Sequence, residues 1–218
     1  MATITSTRSP RRDATENRIA LLEAAKTVLN ADPDASLEAI ASAAGLSRRS
    51  VYGHFTNRDD LIQTLVTSGA ARVSNAVAPV TSDEAPVGIA LLAAELWAEV
   101  ESVRVMAQFA IRGPFRFQIA EALLPLRTSL LEIIKRGIAD GSLRQDIDPQ
   151  TLAHLIEGSA LSVLDEATTA RLSTERGREL VMLATLGTAG LSWREARELI
   201  ANHPALTATT SPTDESRA

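Results

Sequence analysis

From Asp13 onward the apolar residues of this chain recur at helical spacing. Ile19, Leu22, Ala25 and Leu29 share one face of a first helix, which ends before Asp32-Pro33 because a residue ahead of proline is driven out of the α region. Leu37, Ile40, Ala41 and Ala44 make a second, shorter stripe, with Ser36 as its N-cap and Gly45 as its stop. Ser47 caps a third helix that runs to about Phe55. In it Val51 and Phe55 lie one turn apart and point inward, which leaves Arg48, Arg49, Ser50, Tyr52 and His54 facing out. Thr56 and Asp59 have capping-box spacing for a fourth helix through Leu61 and Leu65. Further helical stretches are separated by breakers at Asp83 to Pro86, Gly113-Pro114, Asp140-Gly141, Asp148-Pro149, Ala170 to Ser173 and Leu191-Ser192. Asp148 before Pro149, and Ser192 with Glu195 three residues on, are strong helix starts. No segment alternates with period two for long enough to make a strand, and no repeat is visible, so the fold class is all-α.

The two ends read differently. Residues 1–12 are polar, contain Pro10 and carry Arg8, Arg11 and Arg12, which suits a flexible basic arm; residues 204–218 turn to Thr, Ser, Pro and Asp and suit a disordered tail. Between them, residues 13–60 read as a helix-turn-helix domain and 61–203 as a larger helical domain. An apolar share of 45% fills an ordinary core, no apolar run is long enough to span a bilayer, and the absence of cysteine fits the cytoplasm. The formal net charge of −5 argues against general coating of nucleic acid but leaves room for a local basic footprint. Residues 1–60 hold 8 basic against 8 acidic side chains, leaving 14 against 19 beyond, so the acidity lies in the second part.

Residues 36–55 give short helix, Gly-containing turn, short helix, the layout that presents a second helix to the DNA major groove. Residues 47–55 combine an apolar back with outward groups that can donate to guanine edges or phosphate oxygens. The competing reading is an ordinary surface helix with a solvated polar face. Against it, so short a helix is unstable alone, and Tyr52 and His54 are costly on a face that binds nothing.

The stretch from about Ile19 to Leu61, above all LEAIASAAGLSRRSVYGHFTNRDDLI, resembles the DNA-binding domain of the TetR family of bacterial regulators. The Ala-Gly-Leu-Ser turn, the Tyr-x-His-Phe end of the third helix, and the basic residue three after Phe55 followed by Leu61 carry the likeness. The resemblance implies that Tyr52 and His54 donate to phosphates, that Arg58, where the family usually has Lys, grips another, and that Ser47, Arg48, Arg49 and Ser50 face base edges or backbone. Either Arg48 or Arg49 reads a guanine, worth about 1–3 kcal/mol of discrimination if bidentate. The arm's arginines either enter a minor groove or stay solvated.

One helix-turn-helix makes too few contacts for operator-grade affinity, so a homodimer is expected. Leu152, Leu155, Ile156, Ser159 and Val163 form one stripe, and Leu180, Leu183, Ala184, Gly187 and Leu191 repeat its spacing. Small central residues suit close helix approach in an intermolecular four-helix bundle. The family commonly dimerises through its last long helices; the alternative is that both stripes pack on the protomer's own core. A cavity for a small-molecule effector is expected between Pro86 and Ile138, with Trp97, Met106, Phe109, Phe115 and Phe117 as lining and Arg104 and Arg112 as anchors for an acidic ligand. Core packing is the alternative for each aromatic.

The three histidines at 54, 154 and 203 are scattered, and no HExxH or glycine-rich phosphate loop occurs; no enzyme, metal site or cofactor is expected. The expected partners are operator DNA, a second copy and an unknown effector. The expected function is a repressor released from its operator by that effector, with an activator of the same architecture, or a helical adaptor without DNA binding, as alternatives.

Overall fold

A computed structural model of the chain describes residues 10–100 and 120–207. All regular elements among the described residues are helices: α1 (Pro10–Ala31), α2 (Leu37–Ala43), α3 (Arg48–His54), α4 (Arg58–Val77), α5 (Ala85–Val100), α6 (Leu124–Asp140), α7 (Pro149–Thr169), α8 (Thr174–Ala189), α9 (Trp193–Asn202) and α10 (Pro204–Thr207). They separate into two compact units, and the division falls inside α4, after Gly69.

In the first unit α1 packs on α2 and α2 on α3. The buried row of α1 is Leu21, Ala25 and Leu29, whereas Ile19 is 55% exposed. The apolar face is therefore set one position away from the Ile19–Leu22 pairing that sequence spacing suggests, because Leu21, Ala25 and Leu29 repeat every four residues along one ridge. Helix α1 also begins earlier than expected. Pro10, Arg11 and Arg12 belong to its first turn rather than to an arm, since a proline at the start lacks only an N–H that the helix would leave unpaired anyway.

Ser36 Oγ accepts from the Ala39 amide at 3.1 Å to start α2, and Gly45, at φ +69°, ends that turn in a left-handed conformation. Ser47 Oγ accepts from the Ser50 amide at 3.2 Å to start α3. Helix α4 is capped one residue later than the Thr56/Asp59 pairing: Asn57 Oδ1 accepts from the Asp60 amide, and Asp60 Oδ2 accepts from the Thr56 amide, each at 2.9 Å. Asn supplies a short, well-placed acceptor, so the cap falls one residue later, while the Asp60 carboxylate bonds the amide of the residue before it.

Two arginines hold this unit's loops. Arg18 Nη1 on α1 donates to the His54 carbonyl at 3.4 Å, and its guanidinium lies 4.5 Å from the Phe55 ring centroid. A cation at the C-terminal carbonyls of α3 is favoured by the helix dipole as well as by the ring. Arg58, at the start of α4, donates through Nε to the Ala35 carbonyl at 2.9 Å and through Nη2 to the Pro33 carbonyl, tying down the α1–α2 connection.

The second unit is built around α8, which packs against α5 and α7, while α6 packs on both α5 and α7. Its core includes Val77, Ile89, Leu92, Ile133, Ile134, Leu143, Leu152 and Ile156. Asp148 caps α7 by accepting from the Gln150 and Thr151 amides, and Ser192 with Glu195 closes a reciprocal capping box on α9. The chain after His203 is not wholly a tail. Pro204–Thr207 forms α10, Leu206 is fully buried, and Arg178 Nη1 on α8 donates to its carbonyl at 2.9 Å. One buried leucine and one charge-assisted bond outweigh the polar composition around them.

Trp97 is a keystone of this unit. It is buried, its indole N–H donates to the Thr174 carbonyl at 3.0 Å, and its ring lies where a Cβ on Gly177 would stand. We expect Gly177→Ala to destabilise the protein by about 1–3 kcal/mol through overpacking, read as a Tm lower by roughly 3–10 °C; an unchanged Tm would show that the indole has somewhere else to go. Replacing Arg18 with Ala should cost about 1–2 kcal/mol locally. The check is amide hydrogen exchange, which should quicken in α3 and stay as it was in α5–α8; equal exchange in α3 would make Arg18 a bystander.

Candidate nucleic-acid interface

Val51 and Phe55 are fully buried in the first unit and fix the back of α3. Its other side presents Ser47, Arg48, Arg49, Tyr52 and Gly53 to solvent, with Ser50 and His54 half-buried. The face is thus a short ridge of hydrogen-bond donors around two guanidinium groups and a phenol.

The exposed donors differ in how they are held. Tyr52 Oη donates to Glu38 Oε1 at 3.0 Å, and Arg48 Nη2 stands 3.3 Å from the same oxygen, with the Arg48 guanidinium 5.7 Å from the Tyr52 ring centroid. Glu38, in the first turn of α2, is held below the usual glutamate range. A hydrogen bond from its own backbone amide contributes most, then the Tyr52 hydroxyl, with the Arg48 charge acting the same way and partial desolvation opposing. Arg48 is 75% exposed on its side chain, so this pair is well solvated. Ser47 Oγ is occupied by its cap, the His54 carbonyl by Arg18, and Arg58 by the Pro33 and Ala35 carbonyls. The Arg58 guanidinium, which the resemblance sends to a phosphate, is therefore already committed inside the first unit.

Sequence reasoning missed Glu38 and Arg18. Nothing in residue spacing points to them, because one joins α2 to α3 and the other joins α1 to the end of α3; only an acidic residue in a helix's first turn and an arginine on the polar flank of α1 could have hinted at them.

In the second unit Trp97 is buried, with its indole N–H hydrogen-bonded. The other candidate ligand contacts, Arg104, Met106, Phe109, Arg112, Phe115 and Phe117, lie outside the described residues. The stripe proposed for α7 divides. Leu152 and Ile156 belong to the core cluster of the second unit, and Val163 is buried as well. Leu155 remains 44% exposed and Ser159 half-buried. On α8, Leu180, Leu183 and Ala184 are half-buried, Gly187 is exposed, and Leu191 just beyond is half-buried. Open space lies beyond Gly158 and Gly187. Trp193, the first residue of α9, is 61% exposed under the Arg194 guanidinium, 4.5 Å from its ring centroid.

Among the described residues no group of three or more His, Asp or Glu side chains is placed to hold a metal ion, and no helix is long and apolar enough to cross a membrane. Residues 21–65 match the family model described as bacterial regulatory proteins, tetR family. No curated protein sequence matches the chain. Several solved structures share its fold. The fatty acid degradation regulator FadR from Bacillus halodurans is 19% identical, with a TM-score of 0.67 over 85% of this chain and 98% of its own. The TetR-like transcriptional regulator LfrR from Mycobacterium smegmatis, solved with proflavine, is 18% identical, with a TM-score of 0.64 over 84% of this chain and 99% of its own. SmeT, the repressor of the Stenotrophomonas maltophilia multidrug efflux pump SmeDEF, is 20% identical, with a TM-score of 0.62 over 80% of this chain and 91% of its own. The helix-turn-helix over residues 21–65 is thus matched by the tetR family model, and the chain shares its fold with solved transcriptional regulators.

Proposed function

We propose that this regulator is a repressor that binds a palindromic operator as a homodimer and leaves it when a small molecule occupies the second unit. The observation that carries the reading is the α3 ridge, in which Arg48, Arg49 and Tyr52 stand exposed on a helix pinned from behind by Val51 and Phe55. Base edges fall to Arg48, Arg49, Ser47 and Ser50, and phosphates to Tyr52, His54 and, if it exchanges its carbonyl partners, Arg58. The head comprises residues 13–60, and 61–203 senses and dimerises. The cytoplasm, where the operator lies, is its compartment.

Dimerisation uses the outward face of α7 and α8: Leu155 and Ser159, with Leu180, Leu183, Ala184, Gly187 and Leu191. Gly158 and Gly187 leave room for close approach of a second copy's helices. SmeT is a repressor, LfrR was solved with proflavine and the FadR of Bacillus subtilis with stearoyl-CoA, which supports reading this chain too as a repressor with a small-molecule effector. By that analogy an effector is contacted by Trp97, Arg104, Met106, Phe109, Arg112 and Phe115. It acts by linkage, lowering operator affinity by its differential affinity for the conformer with misplaced heads. The helix α4, continuous through the division, transmits that change.

Selection from a random duplex pool should enrich a palindrome with wild-type protein and nothing with Arg48→Ala/Arg49→Ala; no enrichment at low or moderate salt with wild type would favour the helical adaptor. Gly187→Arg, placed in open space, should leave the protomer folded yet give a monomer by sedimentation and lower operator affinity at least about a hundredfold, as one half-site alone cannot supply operator-grade contacts. A dimeric Gly187→Arg protein would move the interface elsewhere.

A further inference from the structure

Glu38 occupies the reading face with a negative charge that the proposed function does not use. Its Oε1 is shared by the Tyr52 hydroxyl at 3.0 Å and Arg48 Nη2 at 3.3 Å, so two of the groups assigned to DNA already hold a carboxylate of their own protein. The cluster is fixed from both sides. Glu38 sits in the first turn of α2, where the helix dipole favours an anion, and Tyr52 and Arg48 lie one turn apart on α3 with guanidinium against ring. Arg49, on the same ridge, has no hydrogen-bond or ion-pair partner among the described residues.

A phosphate that takes Tyr52 or Arg48 must displace the carboxylate and then stay beside it. The exposed pair opens at little cost, but the uncompensated charge repels nearby phosphates over a screening length of about 8–10 Å. That penalty falls on every duplex alike, whereas base contacts that offset it exist only on the operator. We propose that Glu38 sets the affinity threshold for DNA: it holds Tyr52 and Arg48 off the backbone of arbitrary duplexes, so that only one offering a full set of base contacts binds tightly enough to displace it. The inference rests on the reading of α3 as the DNA-contacting helix.

The test titrates a fluorescent mixed-sequence duplex with full-length wild type, E38Q, R48A and the E38Q/R48A double variant, across salt from about 50 to 200 mM. E38Q should bind about three- to tenfold more tightly than wild type, with a salt slope steeper by about one as Arg48 is freed to neutralise a phosphate. That gain should largely vanish in the R48A background. Equal binding by wild type and E38Q overturns the inference while leaving DNA recognition by α3 intact. Weaker binding by E38Q also overturns it, because the carboxylate would then be a DNA contact itself. If none of the four proteins binds duplex even at the lowest salt, α3 does not contact DNA and both readings fall together.

Discussion

A helix of seven residues does not hold itself together in water, and α3 exists because its surroundings leave it no alternative. Val51 and Phe55 are buried behind it, Ser47 Oγ accepts from the Ser50 amide at its start, and Arg18 reaches across from α1 to its last carbonyl and onto the Phe55 ring. The whole outward ridge inherits its geometry from these contacts. The outward side chains are thus placed by contacts made behind the helix and at its two ends.

The helix starts were the most legible part of the fold. Ser36, Ser47, Asp148 and Ser192 are caps whose chemistry is local, so a few neighbouring residues determine them, and each stands at the N-terminus of a helix. The α3 ridge was legible for the same reason, because one buried pair one turn apart fixes which residues face out. Matters decided by partners distant in sequence were not. The α1 face turned on whether Ile19 or Leu21 meets the interior, and spacing alone fits both. The boundary at Pro204 was obscured because Leu206 and the Arg178 contact lie in a polar stretch, where one residue outweighs the average.

The α7 stripe shows the limit most clearly. Leu152, Leu155, Ile156, Ser159 and Val163 satisfy a helical period, yet the helix is apolar on more than one side, and a period cannot tell which side meets its own core. The fold takes Leu152, Ile156 and Val163 inward and leaves Leu155 outside with Gly158 beside it. On α8 the core row is Val181, Met182, Thr185, Leu186 and Ala189, so the row that sequence spacing marked there is left half-buried, with Gly187 exposed. Glu38 was illegible for a related reason: its meaning comes from a tertiary contact between two short helices, not from its own neighbours in the chain.

The chain has two tryptophans, and the fold gives them opposite surroundings. Trp97 is enclosed beside Gly177 with its N–H bonded, while Trp193 stands in solvent beneath Arg194 at the end of the α8 face. The protein therefore carries two intrinsic optical reporters of different colour. Blue-shifted emission follows the integrity of the α5–α8 packing, and red-shifted, readily quenched emission follows what covers the start of α9. With Trp193→Phe the first signal stands alone, so that loss of the interior and changes at the surface can be followed separately without attaching a dye.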